Sequence, residues 1–268
     1  MADTLRHPGP AEGPRLMLAP TRVERRRITL EAGVPLDRAI AQALAGADSA
    51  WISLDDAQGD LRFVLPDRAR DGLHGAWYSA PRDLPGATIH RAGIVWGRRE
   101  GRAFGHCHGS WGKTMGHLLL DASILSKPAK AQALVFPDAR FEGEDDSETA
   151  FTLFKPRIRG TVAEPEAALL RLAPHVELAE GLGEALDRLG WDGARLAGLG
   201  SLNTAHFADG SVLDSHATEF LIFPGRIDRA RIAVNLDIVG MGGMRGQGEL
   251  ASTGNRICVT AELILTRL

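Results

Sequence analysis

A helix followed by short, glycine-punctuated strands occurs twice along this chain, and no other feature narrows the possible folds as much. From Pro35 to Leu44 the apolar residues Leu36, Ala39, Ile40, Ala43 and Leu44 recur at three- and four-residue steps, the spacing of one helical stripe. A strand-like Trp51-Ile52-Ser53-Leu54 follows, then a Gly-, Pro- and Asp-rich insert between Asp55 and His90. After it come Ile94-Val95-Trp96, a Gly- and His-bearing stretch from Phe104, and Ala131 to Phe136. The second half replays the order. Leu182, Ala185, Leu186 and Leu189 share one side of a helix; Ala197 to Leu202, Glu219 to Phe223 and a closing Ile257 to Leu265 read as strands. The pattern predicts an α+β fold of two tandem units, each a mostly antiparallel sheet with packed helices. The expected boundaries are a flexible N-terminal arm over 1–22, a first domain over 23–155, a Pro-punctuated linker over 156–173 and a second domain over 174–268.

Composition narrows the function classes. The 268 residues include 31 glycines but an ordinary 14 prolines, which signals turn-rich structure and not a collagen-like chain. With 31 basic and 34 acidic residues the formal net charge is −3, so no global field draws in nucleic acid, whose affinity rests on phosphate neutralisation. No apolar run approaches the ~20 residues of a membrane helix. The first twenty residues lack a basic-then-apolar signal pattern, and the distant pair Cys107 and Cys258 offers no disulfide framework. A cytoplasmic, non-membrane protein is the expectation.

Chemistry concentrates in Gly105-His106-Cys107-His108-Gly109 and Gly116-His117-Leu118. Residues two apart on a strand face the same way, so His106 and His108 share a face that Cys107 does not. If Gly112 and Lys113 form the centre of a two-residue turn, His108 lies directly opposite His117, with His106 on the diagonal. Three imidazoles on that frame predict a metal site with an open fourth position. Zinc suits them best, although nickel, iron(II) or copper would be accepted. Polar histidines on a solvated hairpin or in a subunit contact are the plain alternative.

Other polar residues are candidates for supporting roles. Glu219, ahead of an apolar strand, and Asp55, after one, could move protons, or serve as a buried hydrogen-bonding group and a turn residue. Arg91, Arg98, Arg99 and Arg102 flank the histidine hairpin and could hold a substrate carboxylate, or pair with Glu100 and other acids. His90 could be a fourth ligand or a substrate contact, or an ordinary surface residue. Gly240 to Gly248 is glycine-rich but has no Gly-Lys-Ser/Thr ending, so it is not read as a phosphate loop.

The histidine segment, with Gly116-His117-Leu118-Leu119, resembles the signature of prokaryotic plant-and-prokaryote-conserved (PPC, or PCC) domains. Leu199-Gly200-Ser201-Leu202, Thr218-Glu219-Phe220 and Val259-Thr260-Ala261-Glu262-Leu263 are similar to a second copy. The resemblance implies a compact α+β domain that assembles as a homotrimer, with a metal site in histidine-bearing members. Two departures stand out. Lys155-Pro156-Arg157-Ile158-Arg159-Gly160 lacks the Arg-Gly-Arg-Pro order of the AT-hook that plant relatives carry, and the second copy has Asn235, Asp237 and Glu249 about where His106, His108 and His117 stand in the first. His7-Pro8-Gly9-Pro10, Trp77-Tyr78-Ser79 and Phe151-Thr152-Leu153-Phe154 resemble bacterial tandem members and suggest an arm that docks on a neighbour or covers a site. The expected function is a zinc-dependent hydrolase or lyase acting on, or binding, a small carboxylate-type molecule. A DNA-associated regulator and a non-catalytic ligand-binding or scaffold protein are the alternatives.

Overall fold

The computed structural model describes residues 5–268. Among them are two large, mostly antiparallel sheets and two α-helices. The longer elements run β1 (Leu16–Thr21), β2 (Glu24–Leu30), α1 (Leu36–Ala43), β3 (Ala50–Val64), β4 (Arg82–Arg99), β5 (Arg102–Trp111), β6 (Thr114–Leu118), β7 (Ala129–Val135), β8 (Ala139–Asp145) and β9 (Thr152–Ile158). They continue as β10 (Ala167–Leu172), α2 (Leu178–Leu189), β11 (Gly193–Leu202), β12 (Thr218–Ile222), β13 (Asn235–Gly240), β14 (Arg245–Glu249) and β15 (Ile257–Arg267).

The two sheets share one connectivity. The first contains the run β2-β7-β3-β4-β5-β6 and the second the run β10-β15-β11-β12-β13-β14. In each, the last strand of the unit inserts between its first and second. In the first sheet, the fifth strand also curls back to the far end of the second strand; in the second sheet, residues beyond β11 and β14 meet instead. Phe63 and Val64 pair with Leu118 and His117, and a lone bridge joins Phe207 to Leu250. The sheets pack face to face, since Trp51 and Leu221 meet at the missing side chain of Gly93. Alternate residues of the second sheet divide between its faces. Leu199, Leu221, Val239 and Ile264 join the core of the first sheet, whereas Leu170, Leu172, Phe220, Ile222, Leu263 and Leu265 cluster with Leu178, Leu182, Ala185 and Leu186 of α2. Each such leucine contributes about 1.5–3 kcal/mol by leaving water. Gly190 ends α2 in the left-handed conformation that glycine adopts without strain.

Three sequence expectations change. Leu16–Thr21, within the expected arm, pairs along its whole length with β10 in the second sheet. Ala167–Leu172 is a buried strand where a linker is expected, because apart from Arg171 its side chains are apolar on both faces. The insert after Asp55 is mostly an extension of the β3–β4 hairpin. Ala57, Gly59, Leu61 and Phe63 alternate with exposed polar residues, and Asp56 carries the strand past its acidic pair at a φ of 53°, a conformation aspartate tolerates. No helix among the described residues is long and apolar enough to cross a membrane.

Candidate metal centre

The β5–β6 turn has the register the sequence implies. Trp111 pairs with Thr114 and His108 with His117, and Gly112 takes a φ of 53°. On the other side of β5, His106 faces Val95 and His108 faces Gly93. The three imidazoles therefore lie on the face turned toward the second sheet, and one potential ligand nitrogen from each lies within 4.8 Å of the others. Cys107 points the other way and is buried, which pushes its thiol well above the usual range.

The hydrogen bonds assign the free nitrogens. His106 Nδ1 donates to Glu262 Oε2 at 2.8 Å, and His108 Nδ1 donates to the Phe220 carbonyl at 2.9 Å. Both Nε2 atoms are thus left as acceptors, yet they face each other at 3.1 Å. Two lone pairs so placed are relieved by a proton shared between the rings or by a cation held between them. Burial and then the neighbouring His106 and His117 hold His108 well below the usual histidine range; burial and His106 act on His117 likewise. Glu219 Oε1 approaches His108 Nε2 at 3.7 Å and His117 at 3.8 Å. Its other oxygen and His117 Nδ1 are buried without partners. Burial pushes the Glu219 carboxyl well above the usual range, against the lowering effect of the His117 backbone N–H. Three convergent nitrogens, two orphaned buried atoms and two carboxylates fit a divalent cation. The donor set suits a borderline transition metal and does not select zinc among them.

This cluster opens into a cavity of about 410 Å³ between the sheets. The first sheet supplies the histidines, Phe104 and Arg99; the second supplies Ser201, Glu219, Thr260 and Glu262. Trp77 and Tyr78, from the connection between β3 and β4, and Phe151 to Phe154, from the end of the β8–β9 connection and the start of β9, close it. Tyr78 meets His117 edge-on, with ring centroids 5.2 Å apart. Burial, then Glu219 and Glu262, pushes the Tyr78 phenol well above its usual range.

The remaining sequence candidates lie elsewhere. Arg91 and Arg99 share a strand face but sit about 26 Å apart along it at the usual rise. Only the Arg99 end lines the cavity. Arg91 instead stacks on Phe223, 4.5 Å from its centroid, and lies 3.8 Å from exposed Asp55. His90 Nε2 donates to the Gly112 carbonyl at 3.0 Å, and Arg102 is exposed outside the lining. Asp237 and Asn235 pair with Gln247 and Glu249, so the strand partner of Asp237 is Gln247, where Glu249 was expected to match His117. Of the arginines that flank the hairpin, Arg99 is the one that lines the cavity; Glu262, Thr260 and Tyr78 complete the site, and nothing in the local pattern gives Thr260 or Tyr78 a role. Glu262 had a signal: it is an acid inside an otherwise apolar strand, and a buried acid needs partners. The described part of the N-terminal segment docks on its own chain. Leu5 is buried with Ala76, Ala217 and Cys258, and His7 Nε2 donates to the Cys258 carbonyl at 2.7 Å. Residues 1–4 of that segment lie outside the described residues.

The chain matches no protein-family model and no curated protein. Among solved structures it is similar to a metal-containing protein of Archaeoglobus fulgidus, at 22% identity over 50% of this chain and 95% of that one, with a TM-score of 0.40. A PPC protein of Pyrococcus horikoshii aligns at 16% identity over 52% of this chain and 94% of that one, with a TM-score of 0.39. A Salmonella enterica protein aligns at 22% identity over 38% and 77%, with a TM-score of 0.34. The likeness is thus a weak, partial structural homology to small α+β domains, PPC-like ones among them, and it assigns no family.

Proposed function

We propose that this chain is a metal-dependent enzyme, with zinc as the resident ion and a small carboxylate-bearing molecule as substrate. His106, His108 and His117 are the ligands. The observation that carries the reading is the pair of Nε2 atoms facing each other at 3.1 Å while both Nδ1 protons are committed elsewhere. A divalent ion there supplies Lewis-acid polarisation of a substrate oxygen, which serves hydrolysis, hydration or carbon–carbon cleavage.

The chain's own residues do the rest. Glu262 and the Phe220 carbonyl fix the tautomers and planes of His106 and His108. Glu219, buried against His108 and His117, is the group placed to give or take a proton. Tyr78 offers a second hydroxyl donor at the cavity wall. Arg99, and not Arg91 or Arg102, stands where a substrate carboxylate is anchored. In this reading the two units are PPC-like copies, only the first keeping the histidines, in a cytoplasmic protein that self-associates as a trimer. Sedimentation of the purified chain reports that assembly directly.

The decisive experiment is metal analysis of protein purified without a histidine tag. About one zinc per chain is expected in the wild type and none in His108→Ala. Substoichiometric metal in the wild type, or full occupancy in the variant, sinks the proposal.

A further inference from the structure

The cavity holds more recognition chemistry than a small aliphatic acid uses. The chain has only one tyrosine, five tryptophans and nine phenylalanines, yet Trp77, Tyr78, Phe104, Phe151 and Phe154 all line this one space. Large aromatic rings ordinarily bury themselves, and exposed ones at a concavity mark a surface kept for a ligand. Here Trp77 is 42% exposed and Phe104 40%. Trp77 and Phe151 are stacked one over the other at 5.2 Å and 18°, so the pair presents an outer ring face and ring edges to the cavity. That surface favours a planar π system over a flexible chain.

Polar groups sit at the two ends of these walls. Arg99 is the arginine of the lining. Its guanidinium rests 5.6 Å from the Phe104 centroid and 3.4 Å from Thr152 Oγ1, and among the described residues no carboxylate lies within ion-pair distance of it. Arg91 and Arg98, by contrast, are paired with Asp55 and Asp48. An arginine left without an acid beside a cavity complements an anionic ligand group. At the other end, beside the histidines, Thr260 Oγ1 and Glu219 Oε2 are buried, line the cavity and have no partner. Buried polar atoms in native structures are almost always satisfied, so these await a ligand's oxygen or hydroxyl.

From these groups we infer that the cavity takes a planar aromatic carboxylate. Its ring lies against Trp77 and Phe151, its carboxylate meets Arg99, and its opposite, oxygen-bearing edge reaches Thr260, Glu219 and the histidines. This specifies the substrate class of the proposed enzyme and rests on that proposal for the orientation of the ligand.

The test is calorimetric titration of the zinc-supplemented full-length protein with 4-hydroxybenzoate, its neutral amide 4-hydroxybenzamide, and succinate, with metal content measured in parallel. 4-Hydroxybenzoate should bind about tenfold or more tightly than succinate. Trp77→Ala should remove most of that advantage with metal content unchanged. Arg99→Gln should weaken 4-hydroxybenzoate about tenfold or more while leaving the amide within about twofold. Equal affinity for the aromatic and aliphatic acids, no binding of either, or indifference to both substitutions in folded, metal-replete protein overturns the inference and leaves the metal reading standing. A preference for the aromatic acid in a protein that retains no metal does the reverse.

Discussion

Glu262 shows how one side chain sets the chemistry of another. Its carboxylate lies 2.8 Å from His106 Nδ1 and so decides which imidazole nitrogen is free to bind. Glu262→Gln keeps the shape but removes the charge that raises ligand basicity. Metal affinity should fall about 10–100-fold in a chelator competition, without loss of fold. Gly93 acts by having no side chain. It pairs with His108, and a Cβ there would collide with Trp51 and Leu221 across the sheet interface. Gly93→Ala should therefore lower unfolding free energy by about 1–3 kcal/mol in a urea titration, and should loosen the metal site as well. An unchanged midpoint would mean that the two sheets can separate there without cost.

Between elements, the joint from the β8–β9 connection to β10 is tied by charge. Asp146 lies 3.2 Å from Arg171, both buried, and also accepts from the Thr149 backbone N–H and hydroxyl. Burial alone would raise the Asp146 carboxyl, but Arg171, Thr149 and Lys155 outweigh it and hold it below the usual range. A carboxyl whose folded value is depressed stabilises above its unfolded value and loses that contribution as pH falls through the folded one. Wild-type stability should thus drop below about pH 4 by a component that Asp146→Asn lacks. Removing one partner of so buried a pair, as in Asp146→Ala, should cost about 3–5 kcal/mol at neutral pH, read as a lower urea midpoint. On the opposite face of the second sheet, Leu182→Ala in α2 should cost about 2–5 kcal/mol, because Leu182 is fully buried among Leu170, Leu172 and Leu263.

The two sheets share one strand order and depend on each other for their cores. The first sheet's core takes in Leu199, Leu221, Val239 and Ile264 of the second, and β1, which precedes the first sheet's strands in the chain, pairs with β10 in the second sheet. Urea unfolding should accordingly show one cooperative transition by both fluorescence and circular dichroism; two separated transitions would mean autonomous copies. The histidine face was legible in advance because it needs only local rules: the period of two along β5 and a two-residue turn at Gly112 and Lys113. The doubled order of elements was legible for the same reason, since periodicity and glycine placement are written along the chain. Arg91, Arg99 and Arg102 could not be told apart that way, because all three flank the hairpin and only the opening of the cavity selects Arg99. Glu219 and Glu262 reach the histidines from strands more than a hundred residues later, and which sheet faces meet depends on how two apolar surfaces exclude water together. Local periodicity thus specified the strands and their faces. Long-range packing chose which face became the core, which acid met which histidine, and where a cavity was left between them.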